Sequence, residues 1–439
     1  MTERNRYTVF EHECLYVHRG EQQLSPNQLK ALQLFFKEKD FPYYSLVLNG
    51  VRFCEYVGVI KVGDLTIEVL PKADRNGDKK HWRGLLIGMM RSIGLLNPDA
   101  PTYSDLKVKN VKVLDAYLEL FIVEVEKLIH QGLIKKYRKT QANSTSLKGK
   151  LLIGQQITKN SVHKERFCVE HTVYDQQHTL HQFLYKALRT VVRLGTASQL
   201  ASRYQRVLLR FPEQKDIRVN ENLFDRIRYD RKSSSYATAI DIAKIILLNY
   251  HPDLNQGDKN VLALMFDMNM LWEKFVFKSL QRNAPVGIEV SGQVPKDFWK
   301  PEQGYIKRLR PDIVLKEGEK VIAVLDTKWK NIGLSNPSDD DLRQLYAYSR
   351  YHGNAPSYLV YPGEQSAVVN GNYNRAFQGD GETPGGIMKI KVESGTREGM
   401  EKLATNILAK LNTHPLSLNK SNRSIHLQNG TEVISVGNH

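Results

Sequence analysis

Two short apolar runs with a polar segment between them constrain this chain more than any other feature. Residues 313–315 and 321–325 are apolar and mostly β-branched, and residues 316–320 read Lys-Glu-Gly-Glu-Lys. This pattern predicts a β-hairpin. The first run is preceded by Pro311-Asp312, and the second ends in Asp326-Thr327-Lys328. The predicted hairpin therefore carries polar, ionisable residues at its open end.

The register of this hairpin decides which side chains share a face. Because side chains alternate along a strand, Asp326 and Lys328 point to the same side. We expect Leu315 to pair with Val321 across a five-residue loop, which brings Asp312 to that side as well. A slip of one residue would turn Asp312 to the other face.

Two carboxylates and an ammonium group on one face of an apolar hairpin are costly to bury unless a ligand binds them. A magnesium ion is a suitable ligand, since Mg²⁺ binds one or two carboxylates together with phosphate and water oxygens. Asp312 and Asp326 are thus candidate metal ligands, and Lys328 could position a water or stabilise a phosphoryl transition state. The alternative is an exposed strand end, because Asp-x-Lys is frequent by chance in a charged chain.

Helical patterns flank the hairpin on both sides. We expect a helix over residues 258–280, with Glu273 near the middle of its apolar stripe of Leu262, Phe266, Met270, Phe277 and Leu280. A buried glutamate there is either paired structurally or part of a metal site.

A second helix is predicted to begin at Asp339-Asp340-Asp341, whose charges suit the positive end of the helix dipole, and to stop at Gly353. Gln344 and Tyr348 lie at i and i+4 on one face of it. They can orient a carboxylate or bind a phosphate, or they form an ordinary surface pair. Residues 358–361 are predicted to add a further strand.

The charge of the chain indicates a polyanionic partner. The 439 residues carry a formal net charge of +16 and a pI near 9.4. Apolar runs such as residues 245–248 are far shorter than the ~20 residues of a membrane span, and the N-terminus lacks a signal peptide's apolar segment. We therefore expect a nucleic acid partner, no membrane, and a cytoplasmic location.

Basic residues are concentrated between positions 135 and 166, where Glu165 is the single acid. This segment is a DNA phosphate track, a positively charged interface with a protein partner, or a solvated loop. The candidates for DNA contact are Lys135, Lys136, Arg138, Lys139, Lys148 and Lys150.

The order of patterns predicts an α/β chain, α+β overall, in four parts. Residues 1–134 form a β-rich N-terminal domain that is a candidate for partner binding, and residues 135–256 form a basic, largely helical middle region. Residues 257–414 form an α/β domain, and residues 415–439 form a polar tail.

These motifs resemble a known family. Glu273 on a helix, Pro311-Asp312, Asp326-Thr327-Lys328 and the Gln344-xxx-Tyr348 pair resemble the PD-(D/E)xK nucleases, whose fold is restriction-endonuclease-like. More narrowly, the chain resembles the McrC-type subunits of McrBC 5-methylcytosine restriction systems. The segments that carry this likeness are residues 271–276, 326–330, 341–348 and 359–362, with residues 56–60, 67–72, 147–151, Asp175 and 236–248 upstream.

The resemblance implies an endonuclease subunit, a phosphodiester hydrolase of the type II/IV restriction class used in antiviral defence. Its implied partners are double-stranded DNA and a hexameric McrB-type AAA+ GTPase, which it stimulates. Asp312 and Asp326 would be Mg²⁺ ligands, Lys328 the catalytic lysine, Glu273 an auxiliary acid and metal ligand, and Gln344 and Tyr348 supporting site residues. The chain has no G-x-x-x-x-G-K-[ST] motif, so it should not hydrolyse nucleotide alone.

Two other classes of function stay open. The nuclease fold could serve as a non-catalytic scaffold that binds DNA and activates a GTPase, although the intact Asp312, Asp326 and Lys328 argue against this. Alternatively, the chain could be a basic RNA-binding protein whose acidic cluster is structural. The first alternative predicts no metal-dependent cleavage, and the second predicts tight RNA binding without a motor.

Overall fold

The computed structural model describes residues 5–38, 42–72, 78–94, 112–194, 198–251, 260–330, 337–373 and 383–411. The boundary expected at residue 257 and the tail expected from residue 415 lie outside these ranges.

The strands are β1 (Arg6–Phe10), β2 (Cys14–Tyr16), β3 (Tyr44–Val47), β4 (Gly50–Phe53), β5 (Tyr56–Val62), β6 (Leu65–Leu70), β7 (Lys136–Ser144), β8 (Lys150–Leu151), β9 (Phe167–Asp175), β10 (Tyr250–His251), β11 (Val261–Asp267), β12 (Ile288–Gly292), β13 (Lys296–Trp299), β14 (Lys307–Leu309), β15 (Ile313–Glu317), β16 (Lys320–Thr327), β17 (Ser357–Gly363), β18 (Ala367–Tyr373) and β19 (Thr383–Lys391).

The α-helices are α1 (Pro26–Glu38), α2 (Lys79–Ser92), α3 (Val113–Gln131), α4 (Ile153–Lys159), α5 (Thr179–Leu194), α6 (Ser198–Arg210), α7 (Glu221–Asp225), α8 (Ala237–Leu248), α9 (Met268–Asn283), α10 (Asp339–Tyr351) and α11 (Arg397–Leu411). A short 3₁₀ helix, Ser234–Tyr236, precedes α8.

The main sheet of the N-terminal part has the order β1-β6-β5-β11-β10, in which β10 and β11 come from much later in the chain. The hairpin β5–β6 turns at Gly63, whose φ of 56° lies in the left-handed region that glycine tolerates. A smaller sheet, β2-β4-β3, packs with α1 against the same core.

The helix predicted from residue 258 is wrong in its first half. Residues 261–267 form β11, which pairs antiparallel with β5 inside the N-terminal sheet. This run is apolar on both faces because the strand is buried between two neighbours, and such a run cannot be told from a buried helix by periodicity. Asp267 then ends the strand and caps α9, accepting hydrogen bonds from the amides of Asn269 and Met270.

The apolar stripe predicted for this helix is wrong as well. Leu262 and Phe266 belong to β11, and Met270 is 37% exposed. The buried face of α9 instead holds Met268, Leu271, Trp272, Phe275, Val276, Ser279 and Leu280. Glu273 therefore lies half-buried at the flank of that face rather than at its centre.

The middle region is less helical than predicted, because its basic segment forms a three-stranded antiparallel sheet, β7-β9-β8. β7 alternates covered and exposed residues along its whole length, which is the pattern of a strand with one solvent face. Helices α5, α6 and α8 pack with α3 into the main hydrophobic core.

A six-stranded mixed sheet forms the centre of the C-terminal part, in the order β12-β15-β16-β17-β19-β18. β15 and β16 are the predicted hairpin, and β16 runs parallel to β17, with α10 as the connection between them. Helices α9 and α11 cover one face with Leu325 and Val360, and α10 covers the other with Val324 and Leu359. Side chains at the end of β16 can therefore contact either the layer of α9 and α11 or the layer of α10.

Candidate active site

The register of β15 and β16 brings the two predicted aspartates together. Ile313 pairs with Leu325, and by continuation Asp312 stands opposite Asp326. The predicted register is wrong by two residues, since Leu315 pairs with Ala323 rather than Val321. The chain makes a two-residue turn at Gly318, φ 58°, followed by a β-bulge, instead of a five-residue loop. A shift of two residues preserves the face, so the conclusion survives.

Asp326 is the most deeply buried acid of the cluster, with 1% of its surface exposed. Burial, and then the charge of Asp312, raises the pKa of its carboxyl to about 6. The Nζ atom of Lys328 lies 2.8 Å from its Oδ2 atom. Although burial opposes the charged ammonium, the attraction of Asp326 and Asp312 raises the pKa of Lys328 above its ordinary value.

Asp312 is fixed by the residue between Asp326 and Lys328. Its Oδ2 atom accepts hydrogen bonds from the backbone amide of Thr327 at 2.7 Å and from the Thr327 hydroxyl at 2.8 Å. Its Oδ1 atom takes part in neither bond. The two strands are therefore tied at the point where the carboxylates meet.

Glu273 reaches this cluster from α9. Its Oε1 atom accepts a hydrogen bond from the Gln293 amide at 2.8 Å, and Gln293 in turn donates its backbone N–H to the carbonyl of Asp312. Burial, and then the charge of Asp312, raises the pKa of Glu273 above its ordinary value. Glu273 is thus held by an amide neighbour and exposed to the field of the aspartates.

Gln344 and Tyr348 contact each other and the backbone that leads into β15. The Gln344 amide donates to the Tyr348 hydroxyl at 2.6 Å, which donates to the carbonyl of Arg310 at 3.1 Å. Burial, and then the nearby aspartates, raise the pKa of Tyr348 above its ordinary value. The pair braces the backbone two residues before Asp312.

Three residues of the site were missed by sequence reasoning. Asp341, interpreted as a helix-dipole residue, is 9% exposed and close enough to act electrostatically on Asp326 and Lys328. Its position three residues before Gln344, on the face that carries Gln344 and Tyr348, could have revealed it. Thr327 and Gln293 gave no comparable signal.

Trp329 is a packing residue that connects the site to the N-terminal part. It lies edge-on to Trp82 and Trp272, with ring centroids 6.4 Å and 5.6 Å away. Its indole nitrogen donates to the buried Oε1 atom of Glu11 at 2.6 Å. The residue after Lys328 is thereby anchored next to the end of β1.

The donor set suits a hard divalent cation such as Mg²⁺. The Oδ2 atom of Asp326 is buried and has no hydrogen bond of acceptable geometry, although Lys328 is nearby. Within the described residues, no group of three or more His, Cys, Asp or Glu side chains is arranged to hold a metal. Two carboxylates are nevertheless sufficient for Mg²⁺ when phosphate and water supply the other oxygens.

The basic candidates lie on the β7-β9-β8 sheet and its loops rather than among the aspartates. Arg138 forms a two-pronged ion pair with Asp175 at 2.8 Å, and Lys136 lies 3.9 Å from Asp230. Lys135, Lys139, Lys148 and Lys150 are exposed. The same small unit exposes an unusual number of large apolar side chains, namely Tyr137, Leu147, Ile153, Ile157, Val162 and Tyr174.

Comparison with known proteins places this geometry in context. The family model described as "McrBC 5-methylcytosine restriction system component" matches residues 51–362. A chain of the refined half-complex from a tetradecameric assembly of Thermococcus gammatolerans McrB AAA+ hexamers with bound McrC is 19% identical, with a TM-score of 0.63, over 92% of this chain and 100% of that one. A chain of the T. gammatolerans McrBC complex is 18% identical, with a TM-score of 0.47, over 64% and 88%.

The first of these likenesses shows that the two chains share an overall mixed α/β fold. A comparison with curated protein sequences found no match. Across the part of the chain that the structure describes, every helix is too short or too polar to span a bilayer.

Proposed function

Because this chain belongs to the McrBC family of 5-methylcytosine restriction-system components and is of the McrC type, we propose that it is the subunit that cuts DNA. Family membership was the resemblance predicted from the motifs, and it is confirmed. The proposed activity is Mg²⁺-dependent hydrolysis of phosphodiester bonds in double-stranded DNA by a PD-(D/E)xK site.

One observation carries this proposal. Asp312 and Asp326 stand opposite each other on adjacent antiparallel strands, and Lys328 lies 2.8 Å from Asp326. The cost of placing these charges together is visible in the pKa of Asp326, which burial and Asp312 raise to about 6. A fold that served only as a scaffold would gain stability by replacing such a cluster with apolar residues.

Asp312 and Asp326 would hold the metal ion, and Glu273 would act on the same site as an auxiliary acid. When bound, Mg²⁺ supplies a more acidic water and neutralises negative charge on the phosphoryl oxygens. Thr327 fixes the orientation of Asp312 through two hydrogen bonds, so that one carboxylate oxygen keeps a constant direction. Such fixation by neighbouring donors maintains the geometry of metal-binding carboxylates.

Lys328 is suited to stabilise the phosphoryl group during hydrolysis. Its ammonium is half-buried between two acids, which favour its charged form. A positive charge held in a partly desolvated site stabilises developing negative charge more strongly than it would in water. Gln344 and Tyr348 hold the strand that carries Asp312.

The partner proposed for this chain is a hexameric AAA+ GTPase of the McrB type, which the chain stimulates. A solved relative of similar fold is part of an assembly of McrB AAA+ hexamers with bound McrC. We propose the β7-β9-β8 sheet as the contact surface, because it exposes Tyr137 and Tyr174, whose ring centroids are 4.6 Å apart. Large exposed apolar patches mark protein interfaces. The N-terminal domain, residues 1–134, stays a second candidate for this contact.

This assignment changes the interpretation of the basic segment. Arg138 is neutralised by Asp175, and the exposed apolar side chains around it favour a protein partner over a phosphate track. Positive charge at the rim of such a surface would guide association rather than supply most of the affinity.

The decisive experiment is cleavage of plasmid DNA, methylated and unmethylated at cytosine, by the purified chain together with an AAA+ GTPase of the McrB type, GTP and Mg²⁺. We expect cleavage that is lost on chelation with EDTA and abolished by Asp326→Asn and by Lys328→Ala. Asp339→Asn, at an exposed acid of α10, is the matched control and should cut normally.

The same assay separates the alternatives. A non-catalytic scaffold would stimulate GTP hydrolysis without any metal-dependent cleavage. An RNA-binding protein would prefer RNA over duplex DNA and bind it without the AAA+ partner. Cleavage that persists in Asp312→Ala and Lys328→Ala would remove the site assignment.

A further inference from the structure

A two-stranded ribbon projects from the catalytic sheet directly beyond Asp312. Strands β12 and β15 pair in a register in which Gly292 faces Ile313, and Gln293 continues it by bonding to Asp312. After a short interruption, β13 and β14 resume the same register, with Lys296 opposite Leu309. The two pairs are therefore one long ribbon, and Asp312 lies at the interruption.

The ribbon is anchored to the end of α10. The Lys296 ammonium donates to the carbonyl of Tyr351 at 2.6 Å, and the rings of Phe298 and Tyr351 meet edge to face at 5.5 Å. At its base, Gln293 adopts a left-handed backbone, φ 47°, and joins Glu273. These contacts hold the ribbon in a fixed direction relative to the aspartates.

The surface of the ribbon is basic and aromatic. Residues 296–310 include five Lys or Arg and two acids. One acid, Asp297, is paired across the ribbon with Arg308 at 2.8 Å. Burial alternates along the second strand, where Leu309 and Pro311 are covered and Arg308 and Arg310 are exposed. Near the turn, Trp299 is 56% exposed and Tyr305 is 92% exposed.

We propose that this ribbon, residues 296–310, is a DNA-binding arm that grips the duplex beside the scissile phosphate. The inference rests on the proposed nuclease function, because the ribbon is assigned to the DNA from its position next to Asp312, where the scissile phosphate would bind. Lys300, Lys307 and Arg310 contact phosphates of the backbone, and Trp299 lies against the sugars or base edges of a groove. Basic side chains interleaved with exposed aromatic ones are a common means of holding nucleic acid.

The dimensions of the ribbon fit this role. Lys307 is five residues from Asp312, which corresponds to about 16 Å along an extended strand. At roughly 3.4 Å per base step, the arm spans about five base pairs on one side of the cleaved bond. A ribbon of two strands is narrow enough to enter the major groove of DNA.

A protein partner fits the ribbon less well. The packed face of the ribbon already contacts α10, and its exposed aromatic residues, Trp299 and Tyr305, lie among basic side chains rather than in a continuous apolar patch. An interface with the AAA+ partner would favour apolar anchors such as those of the β7-β9-β8 sheet. The charge of the outer face is complementary to phosphate.

The first test removes positive charge in the full-length chain. The triple variant Lys300→Gln/Lys307→Gln/Arg310→Gln is compared with the matched triple Lys139→Gln/Lys148→Gln/Lys150→Gln, which loses the same charge from exposed positions of the other sheet. Binding of a fluorescent 30-base-pair duplex is measured in EDTA at several salt concentrations. Circular dichroism and thermal unfolding check that both variants are folded.

Each lost phosphate contact should reduce the slope of log K against log salt by about 0.9 and weaken binding about tenfold near 0.1 M salt. We expect this loss in the ribbon variant and an almost unchanged slope in the control. Equal slopes for the ribbon variant and the native chain would overturn the proposal, as would an equal loss in both triples. If the ribbon variant loses GTPase stimulation but keeps its DNA affinity, the ribbon contacts the partner protein instead, and the proposal is overturned.

The second test uses the tryptophans as reporters. All four lie within the described ranges, and only Trp299 is exposed, while Trp82, Trp272 and Trp329 are 3%, 0% and 6% exposed. Acrylamide quenching of the native chain should therefore report mainly on Trp299 and fall when duplex DNA binds. Trp299→Phe removes the quenchable fraction and is the control. Unchanged quenching at saturating DNA would contradict the predicted contact.

Cleavage assays keep this proposal separate from the proposed function. If the native complex cuts DNA, the ribbon variant should need a higher DNA concentration while keeping most of its rate at saturation, unlike Asp326→Asn. If the native chain binds DNA through the ribbon but never cuts, the arm stands and the nuclease proposal fails. If the native chain cuts and the ribbon variant binds normally, the nuclease stands and the arm fails.

Discussion

Glu11 offers a quantitative test of how the N-terminal part supports the segment that follows β16. Its carboxyl is 5% exposed, and its Oε1 atom accepts hydrogen bonds from the Lys72 amide and the Trp329 indole. Burial raises the pKa of Glu11 from 4.5 to about 7 despite these bonds. The folded chain therefore holds a proton that the unfolded chain releases earlier.

Between these two pKa values the unfolded state binds fewer protons, so the free energy of unfolding falls as pH rises. From pH 5 to pH 8, the Glu11 contribution amounts to a loss of about 2–3 kcal/mol. Glu11→Gln keeps an acceptor for the Trp329 indole but cannot ionise, so we expect this loss to be absent in the variant.

The measurement is urea unfolding followed by tryptophan fluorescence, at pH 5 and pH 8, for the native chain, Glu11→Gln and the exposed control Glu21→Gln. The difference in unfolding free energy between the two pH values should be smaller in Glu11→Gln than in the native chain and in the control. If all three proteins lose the same stability between pH 5 and pH 8, the burial of an ionisable Glu11 against Trp329 is refuted.

Three further predictions concern the site and the basic sheet. Thr327→Val removes one of the two hydrogen bonds to Asp312 and should raise the Mg²⁺ concentration needed for half-maximal cleavage about tenfold or more. Thr327→Ser keeps the hydroxyl and should not change this concentration. Equal Mg²⁺ dependence of the two variants would count against fixation of Asp312. Tyr348→Phe loses the bond to the Arg310 carbonyl and should slow cleavage about tenfold with unchanged DNA affinity, a result that weakened binding in an electrophoretic shift would contradict. The double variant Arg138→Gln/Asp175→Asn removes this ion pair without changing the net charge and should leave DNA affinity unchanged, whereas a larger loss than in Lys139→Gln would show that Arg138 contacts phosphate.

The hairpin and its acids could be predicted because short-range rules govern them. Strand alternation places Asp326 and Lys328 on one side whatever the loop does, and a register error of two residues left Asp312 on that side. The predicted turn was wrong. The same sequence is compatible with a five-residue loop and with the two-residue loop at Gly318 and β-bulge that the structure has.

The errors arose where long-range pairing decides the structure. Residues 261–267 are apolar in every position but the last, and only their partners, β5 and β10, make them a strand. The basic segment was not predicted to form strands, because its polar strand β7 gains its partner β9 more than twenty residues later. Asp341 had an adequate local explanation as a dipole residue, which concealed its position beside Asp326.

The strand β11 has a consequence for how this protein can be divided. It lies between β5 and β10 in the N-terminal sheet. No loop follows it, because its last residue caps the helix that carries Glu273. A fragment that starts at β11 would take this strand away from β5 and leave an unprotected sheet edge on the remainder, and one that starts at α9 would lose its capping residue Asp267. Recombination or truncation at this point would damage both halves, so the amino-terminal sheet and the acidic cluster must be inherited, expressed and engineered together.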